Sequence, residues 1–356
     1  MSDAELEALR SQIDDVNFKL LEMLNIRAAL VDEIRKIKEA RGIEKFDPKR
    51  EAEMLNALVR ANHGPLPHHV IKQIFRMIFR SSLYFMEQQA KDARLITRHG
   101  AERTVIDIDG TRIGNGAVQM MAGPCCIESH EQLDTIAKAL SALGVKILRG
   151  GAFKPRTSPY AFQGLGVPGL KILRDITRAY GMLGITEVMD ARQLDAVVEH
   201  ADILQIGTRN MSNFDLLKAV GGAGKPVMLK RGFMSTLEEF ELAAEYIMVE
   251  GNHQVILCER GIRTFEKATR NTLDISAVPI LKRETHLPIV VDISHSTGRK
   301  DIALPIAAAA IAAGADAIMV EVHAHPELAR SDADQQLTIP EFTSLLRGLN
   351  LKPAVP

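Results

Sequence analysis

Short apolar segments of strand length recur eight times after residue 117, and stretches of helical length separate them. The eight segments are residues 118–122, 146–149, 184–189, 203–206, 226–229, 254–258, 288–292 and 317–320. Eight strand–helix units in succession predict an α/β protein with a closed (β/α)8 barrel, the TIM-barrel fold. An open doubly wound sheet is the alternative, but it is expected to carry a glycine-rich nucleotide turn, and this sequence has none.

A helical periodicity replaces this alternation in the first 92 residues. Leucine, isoleucine and valine recur at three- and four-residue steps from Leu6 to Ile34, which predicts one helix of roughly forty residues ended by Gly42. Asp47-Pro48 combines a capping acid with proline at the first helical position and therefore predicts the start of a second helix. A third helix is predicted from about residue 68 to residue 92.

A β-hairpin is predicted between the helices and the barrel. Residues 104–108 alternate in polarity, Asp109-Gly110 suits a turn, and the chain returns through Ile113. We therefore expect an all-α, three-helix domain at residues 1–92 and a barrel domain at residues 93–356 that begins with this hairpin.

Net charge narrows the class of partner, and the cysteine count together with the lack of a targeting pattern narrows the expected compartment. Forty-four lysines and arginines stand against 45 aspartates and glutamates, a net charge of −1, so we expect no nucleic-acid or membrane-surface partner. The three cysteines, Cys125, Cys126 and Cys258, are odd in number and indicate free thiols. No basic head followed by an apolar run opens the sequence, and no stretch has the length of a membrane span. We expect a cytoplasmic protein.

Function in a (β/α)8 barrel collects just after the C-terminal end of each strand. Six cations follow these ends: Arg149, Lys154, Arg156, Arg209, Lys230 and Arg260. A single loop cation is usually solvated, but six that converge on one mouth would repel one another unless an anionic ligand lay among them. Guanidinium groups suit phosphate and carboxylate, so the pattern predicts substrates with more than one anionic group.

A second group of strand-end residues has the chemistry of metal ligands. Cys125, His295, Glu321 and Asp332 follow the first, seventh and eighth strands, which are neighbours in a closed barrel. A lone cysteine or histidine is usually structural, but four ligand types at adjacent ends predict a metal site. A mixed sulfur, nitrogen and oxygen set suits Mn, Fe, Co or Zn better than Mg or Ca. The side chain of Cys126 is expected to point the other way and to pack.

The motifs that hold these residues resemble one enzyme family along residues 95 to 350. They read AGPC at 122–125, RGGAFKPRTS at 149–158, QIGTRN at 205–210, LKRG at 229–232 and VEVH at 320–323. They closely resemble the type I-beta 3-deoxy-D-arabino-heptulosonate-7-phosphate (DAHP) synthases. The alternative within enzymes is the related 3-deoxy-octulosonate-phosphate synthase, whose loop differs from the Lys-Pro-Arg-Thr sequence at 154–157.

This resemblance implies a metal-dependent condensation of phosphoenolpyruvate with erythrose 4-phosphate, the first step of the shikimate pathway. By motif, the divalent ion is held by Cys125, His295, Glu321 and Asp332. The resemblance also implies which residues bind the substrates. The phosphate of phosphoenolpyruvate is expected at Arg209 and Arg260, and its carboxylate at Arg149, Lys154 and Lys230. The aldose phosphate is expected at Arg156 and Thr157. Lys154 is the expected proton-transfer residue.

Two cations interrupt the apolar stripe of the first helix. Arg27 and Lys38 lie near its centre, and a buried cation is costly unless it is paired. They are separated by about 16 Å of helix axis, a span that two long side chains can bridge around one small anion. Arg10 lies about 25 Å before Arg27, so it can reach the same ligand only from a second chain. The alternative is a helical hairpin whose cations extend to solvent.

The type and spacing of six helical residues, Arg10, Arg27, Lys38, Asp47, Arg50 and Glu51, resemble the all-helical chorismate mutases. The resemblance covers about residues 3 to 90. It implies an intertwined dimer, with a tetramer as the expected assembly of the whole chain, and conversion of chorismate to prephenate by clamping two carboxylates and stabilising charge on the breaking ether oxygen.

Met86 departs from that family pattern. It occupies the position where a glutamine or glutamate normally donates a hydrogen bond to the ether oxygen, and methionine cannot donate one. Glu87 is a substitute only if the helix shifts, because its side chain points about 100° away. The alternatives are a weak mutase and a non-catalytic sensor or dimerisation module that binds chorismate or prephenate as a feedback inhibitor.

Overall fold

Eight parallel strands close into a barrel, which confirms the fold predicted from the alternating segments. The computed structural model describes residues 3–43, 47–156 and 158–351, apart from the side chains of Glu39, Glu87 and Ala90. The barrel strands are β3 (Gln119–Gly123), β4 (Ile147–Arg149), β5 (Leu183–Val188), β6 (Ile203–Ile206), β7 (Val227–Lys230), β8 (Val255–Glu259), β9 (Ile289–Asp292) and β10 (Ala317–Glu321). Each pairs with the next in sequence, and β10 closes on β3.

The register brings the C-terminal ends of β9, β10 and β3 together. Glu321 at the end of β10 lies beside Gly123 of β3, and Asp292 at the end of β9 lies beside Met319 of β10. Gly123 has a φ of 149°, and a Cβ there would lie 2.1 Å from the carbonyl oxygen of Arg149. Only glycine therefore allows β3 and β4 to approach this closely at the mouth.

Amphipathic helices surround the strands and bury their outer faces. They are α4 (His130–Ala142), α5 (Val167–Tyr180), α6 (Leu194–His200), α7 (Phe214–Gly221), α8 (Leu237–Met248), α9 (Ala277–Glu284), α11 (Ala303–Ala312) and α12 (Ile339–Gly348). A five-residue helix, α10 (Ile293–Thr297), follows β9 directly and carries His295. The main core lies between strands and helices, as it does in barrels of this class.

A short hairpin closes the interior of the barrel at its lower end. Strands β1 (Ile106–Ile108) and β2 (Thr111–Ile113) pair antiparallel around the turn at Asp109 and Gly110. Ile106 and Ile113 are buried in one cluster with inward-facing barrel residues such as Met121 and Met319. The opposite mouth, formed by the strands' C-terminal ends, is the one lined by the predicted cations.

The N-terminal segment folds as three helices: α1 (Asp3–Ala40), α2 (Pro48–Ala61) and α3 (His68–Asp92). The side chain of Asp47 accepts a hydrogen bond of 3.0 Å from the backbone N–H of Arg50, which caps α2 as its sequence predicts. The chain divides into two compact units, residues 1–94 and 95–356.

The described helices include none that is long and apolar enough to cross a membrane. Cys125, Cys126 and Cys258 are all buried free thiols.

Candidate active site

The C-terminal mouth of the barrel holds a cavity of about 320 Å³ whose wall is mostly cationic. Six strand-end cations line it: Arg149, Lys154, Arg156, Arg209, Lys230 and Arg260. Arg270, in the long loop after β8, also lines it, although the sequence analysis did not single it out. Thr157 lies outside the described residues. Such a concentration of positive charge in a half-enclosed site suits a ligand with several anionic groups.

Three of the four predicted metal ligands converge beside this cavity. One ligand atom each from Cys125, Glu321 and Asp332 lies within 4.8 Å of the others, and Cys125 Sγ is 3.2 Å from Asp332 Oδ2. His295 Nε2 lies 3.3 Å from Glu321 Oε1 and 4.0 Å from Asp332 Oδ2. The donor set of thiol, imidazole and two carboxylates fits a divalent transition metal.

Asp292 orients His295 toward this group. Its carboxylate caps α10 by accepting the backbone N–H of His295 at 2.9 Å, and it lies 2.7 Å from His295 Nδ1. Because a carboxylate only accepts, Nδ1 must carry the proton, which leaves Nε2 as a ligand atom facing Glu321. Burial lowers the pKa of His295, which favours the neutral imidazole that a metal needs.

Glu321 is fully buried, and both its oxygens have partners. Arg149 Nη1 donates to Oε1 at 2.7 Å, and Gln335 Nε2 donates to Oε2 at 2.5 Å. Burial alone raises the pKa of Glu321, but the interaction with His295 and the positive charges of Arg149 and Lys154 outweigh burial and lower the pKa to about 2. The carboxylate is therefore ionised and fixed in place at neutral pH.

Asp332 has a backbone conformation that suggests functional constraint. Its φ of 49° places it in the left-handed region, which residues other than glycine seldom adopt. Burial acts to raise its pKa, but nearby Lys154 and Arg270 lower it well below the ordinary range. Arg270 Nη1 lies 3.4 Å from Asp332 Oδ1 and donates to Gln335 Oε1 at 2.7 Å.

Lys154 lies between the cationic wall and the ligand group. Its Nζ is 2.7 Å from Cys125 Sγ and 3.7 Å from an oxygen of Asp332. Burial acts to lower its pKa, but the negative charges of Cys125 and Glu321 raise the pKa above its ordinary value. Lys154 is therefore in its ammonium form at neutral pH. The neighbouring Cys126 instead packs, with its Sγ 2.8 Å from Ser331 Oγ.

The helical unit contains a separate cavity of about 360 Å³. Its polar lining residues are Arg27, Lys38, Asp47, Arg50, Glu51 and Ser82, and the buried Met86 is among the apolar ones. Arg27 donates to Ser82 Oγ and lies 5.1 Å from the centre of the Phe79 ring, while burial lowers its pKa. Arg10 is exposed on the first helix and pairs with Glu7 at 2.6 Å, and it is not among the residues of this lining.

Two protein-family models match the chain, one in the barrel and one in the N-terminal helices. The model of the DAHP synthetase I family matches residues 97–351, and that of chorismate mutase type II matches residues 9–87. Phospho-2-dehydro-3-deoxyheptonate aldolase of Thermotoga maritima is 57% identical over 260 residues, which cover 73% of this chain and 77% of that protein. A 2-dehydro-3-deoxyphosphooctonate aldolase of Bradyrhizobium sp. is 30% identical over 276 residues, which cover 71% of this chain and 95% of that protein.

Solved structures show the same barrel. The crystal structure of the Thermotoga maritima DAHP synthase is similar at a TM-score of 0.71 and 56% identity, over 72% of this chain and 76% of that one. A truncated form of the synthase from the same organism gives a TM-score of 0.68 at 53% identity, over 72% of this chain and 94% of that one. On these grounds the chain belongs to the DAHP synthetase I family, with an N-terminal segment that matches chorismate mutase type II.

Proposed function

We propose that the barrel joins phosphoenolpyruvate to erythrose 4-phosphate, with uptake of one water molecule, giving DAHP and phosphate at the cationic mouth. The observation that carries this proposal is a single cavity lined by seven cations and bordered by the thiol, imidazole and carboxylate group. Both substrates are polyanions, and holding them in one cavity replaces a costly encounter in solution. Of the relatives reported above, the most similar is named for the heptulosonate product.

Six of the seven cations have a proposed task. Arg209 and Arg260 hold the phosphate of phosphoenolpyruvate, and its carboxylate lies among Arg149, Lys154 and Lys230. The aldose phosphate lies at Arg156 and Thr157. Lys154 donates its proton to the aldehyde oxygen as the methylene carbon of phosphoenolpyruvate attacks the aldehyde carbon. Water then adds at the phosphate-bearing carbon, and phosphate leaves. The position of Lys154 supports this role, because its side chain lines the cavity and its Nζ lies 2.7 Å from Cys125 Sγ, beside the proposed metal ligands.

The proposed cofactor is one divalent ion, Mn, Fe, Co or Zn, held by Cys125, His295, Glu321 and Asp332. When bound, such an ion polarises a carbonyl oxygen as a Lewis acid. The described residues fit it, because their ligand atoms already cluster and each carboxylate ligand has a further polar partner.

The aldose distinguishes this proposal from its alternative. An octulosonate product has eight carbons, so a synthase of that class joins three-carbon phosphoenolpyruvate to a five-carbon aldose phosphate. We expect the full chain to consume phosphoenolpyruvate with erythrose 4-phosphate at least about a hundredfold faster, in kcat/KM, than with arabinose 5-phosphate, about 2.7 kcal/mol of discrimination. The reverse preference would assign the barrel to the octulosonate reaction.

For residues 1–92 we propose a domain that binds chorismate or prephenate, with mutase activity limited by Met86. Its support is a cavity that combines Arg27, Lys38 and Arg50 with Asp47 and Glu51. The domain boundary is proposed at residues 92–93. Loss of chorismate ultraviolet absorbance in the presence of the full chain tests the mutase, and an Arg27→Ala variant is the control for the site. A full chain that neither consumes nor binds chorismate or prephenate would leave only the dimerisation role.

We also propose that this domain pairs with a second copy of the chain. Apolar side chains along α1, such as Ile13, Val16 and Leu20, are more than half exposed in the single chain. Burying them in an intertwined dimer would bring the Arg10 side chain of a second copy to the cavity. Sedimentation of the full chain as at least a dimer is the expected result.

A further inference from the structure

The ring of Phe233 lies among three arginine side chains at the edge of the barrel cavity. The guanidinium carbons of Arg209, Arg260 and Arg263 are 5.5, 4.8 and 4.3 Å from the centre of this ring. Phe233 lines the same cavity as Arg209 and Arg260. All three distances are within the range of a cation–π interaction.

The proposed phosphate ligands differ in their partners from the three cations proposed to hold the carboxylate. Arg149 pairs with Glu321, Lys230 with Asp292, and Lys154 lies 3.7 Å from Asp332. Within the described residues, no carboxylate oxygen lies within 4.0 Å of the guanidinium nitrogens of Arg209 or Arg260. The neutral ring of Phe233 is instead a neighbour that the two arginines share.

The backbone around Phe233 is held at several points. The Phe233 carbonyl accepts the N–H of Arg263 at 2.7 Å, and the N–H of Gly232 donates to Met211 Sδ at 3.0 Å. Arg231 lies two residues before Phe233, and its Nη1 is 2.9 Å from both Glu259 Oε2 and Asp274 Oδ2. These bonds tie the segment after β7 to the segments after β6 and β8, which together fix the backbone that carries the ring.

We propose that Phe233 is a positioning residue that holds Arg209 and Arg260 ready for the phosphate of phosphoenolpyruvate. The face of an aromatic ring attracts a guanidinium group but takes up none of its N–H donors in strong hydrogen bonds. A carboxylate at this place would occupy those donors and repel the incoming phosphate. The ring orders the two arginines and leaves their donors available, apart from Arg260 Nη1, which donates to the Gly261 carbonyl at 3.1 Å. This inference rests on the phosphate role proposed for the two arginines.

Replacement of the ring by an alkyl side chain tests the inference in the full-length enzyme. Phe233→Leu keeps an apolar side chain and removes the π face. We expect the KM for phosphoenolpyruvate and the inhibition constant for inorganic phosphate to rise together by about tenfold. The kcat and the KM for erythrose 4-phosphate stay within about twofold, because neither depends on this subsite.

Two further variants separate the π face from general packing. Phe233→Tyr retains the face and keeps both constants within about twofold of the unmodified enzyme. Phe214→Leu makes the same chemical change at a ring on α7 that stacks on Tyr246 at 4.5 Å, and it leaves both constants unchanged. If Phe233→Leu fails to fold, Phe233→Met makes the same comparison.

The result that overturns the inference is a Phe233→Leu enzyme whose phosphate inhibition constant is within twofold of normal. An equal loss in Phe233→Tyr, or an equal rise in the KM for erythrose 4-phosphate, overturns it as well. Arg209→Gln and Arg260→Gln distinguish this failure from failure of the proposed function. If these variants raise the phosphate constant and Phe233→Leu does not, only the role of the ring is wrong; if they too leave it unchanged, the phosphate subsite itself is misassigned.

Discussion

Most of the candidate metal ligands are held by a second polar residue. Asp292 holds His295, Arg149 and Gln335 hold Glu321, and Arg270 lies beside Asp332. Residues that orient a ligand affect metal affinity nearly as strongly as the ligands do. The candidate site is therefore a network in which substitutions outside the ligand set have measurable consequences.

Asp292→Asn is expected to weaken metal binding by about ten- to a hundredfold. The amide does not hold the proton on His295 Nδ1 as the carboxylate does, so Nε2 is less often available as a ligand atom. Titration of the metal-free full chain with Mn²⁺ or Co²⁺ measures the change. Asp107→Asn, at the exposed hairpin turn, is the control that keeps normal affinity. Unchanged affinity in Asp292→Asn would show that the orientation of His295 does not depend on this carboxylate.

Met86→Gln is expected to raise the rate of chorismate rearrangement by about a hundredfold, with little change in chorismate binding. Met86 is 5% exposed and lines the helical cavity, so a glutamine there would present a donor to the ether oxygen. Single-turnover rates measure this step. A fast unmodified domain, or a rate that Glu87→Ala controls instead, would show that the proposed role of position 86 is wrong.

At the scale of elements, the barrel could be predicted closely because its periodicity is strong. All eight strands begin and end within one residue of the apolar segments that predicted them. Residues immediately after strand ends, such as Lys154 and Arg209, could be located for the same reason. Arg270 and Gln335 could not, because their positions within long loops depend on tertiary hydrogen bonds that leave no periodic signal. Phe233 lies only three residues after β7, but a phenylalanine carries no charge or ligand atom that would single it out.

A buried ion pair joins the elements at the lower end of the barrel. Lys282 of α9 donates to the two carboxylate oxygens of Asp316 at 2.8 and 2.7 Å, and Asp316 Oδ2 also accepts the N–H of Ile289 at 2.8 Å. Both side chains are at most 10% exposed. Such a pair fixes α9 against the starts of β9 and β10.

Lys282→Met is expected to lower the free energy of unfolding by about 3–5 kcal/mol, because it leaves the Asp316 carboxylate buried without a cation. Urea denaturation of the full chain measures the loss. The matched control is Arg112→Met, which breaks an exposed pair with Asp107 and changes stability by less than about 1 kcal/mol. An equally small effect in Lys282→Met would show that water reaches the Asp316 carboxylate readily.

At the scale of the whole molecule, the chain combines two kinds of domain. The barrel belongs to a family that catalyses the first step of a pathway, and the N-terminal domain resembles enzymes that act on a later intermediate of that pathway. Both family models match, and each covers one compact unit. A ligand of the helical domain can regulate the barrel only if it binds two states of the chain with different affinity. Such coupling gives a physical reason for the fusion.

A chain that begins at Ala93 is expected to lose inhibition by chorismate or prephenate while it keeps DAHP synthesis. A truncated form of the Thermotoga maritima synthase has a solved structure, and residues 95–356 of this chain form a compact unit of their own. In the full chain, Arg27→Ala should weaken inhibition and leave the uninhibited rate unchanged. Inhibition that persists in the truncated chain would place the regulatory site on the barrel.

The most direct test of the account is DAHP formation by the full chain after removal of divalent metal. We predict that chelator treatment abolishes the reaction, that Mn²⁺ or Co²⁺ restores it, and that Cys125→Ala stays inactive with either metal. These results follow from the convergence of Cys125, Glu321 and Asp332 within 4.8 Å, with His295 beside them. Full activity in the stripped enzyme, or in Cys125→Ala without added metal, would contradict a metal-dependent site at this mouth of the barrel.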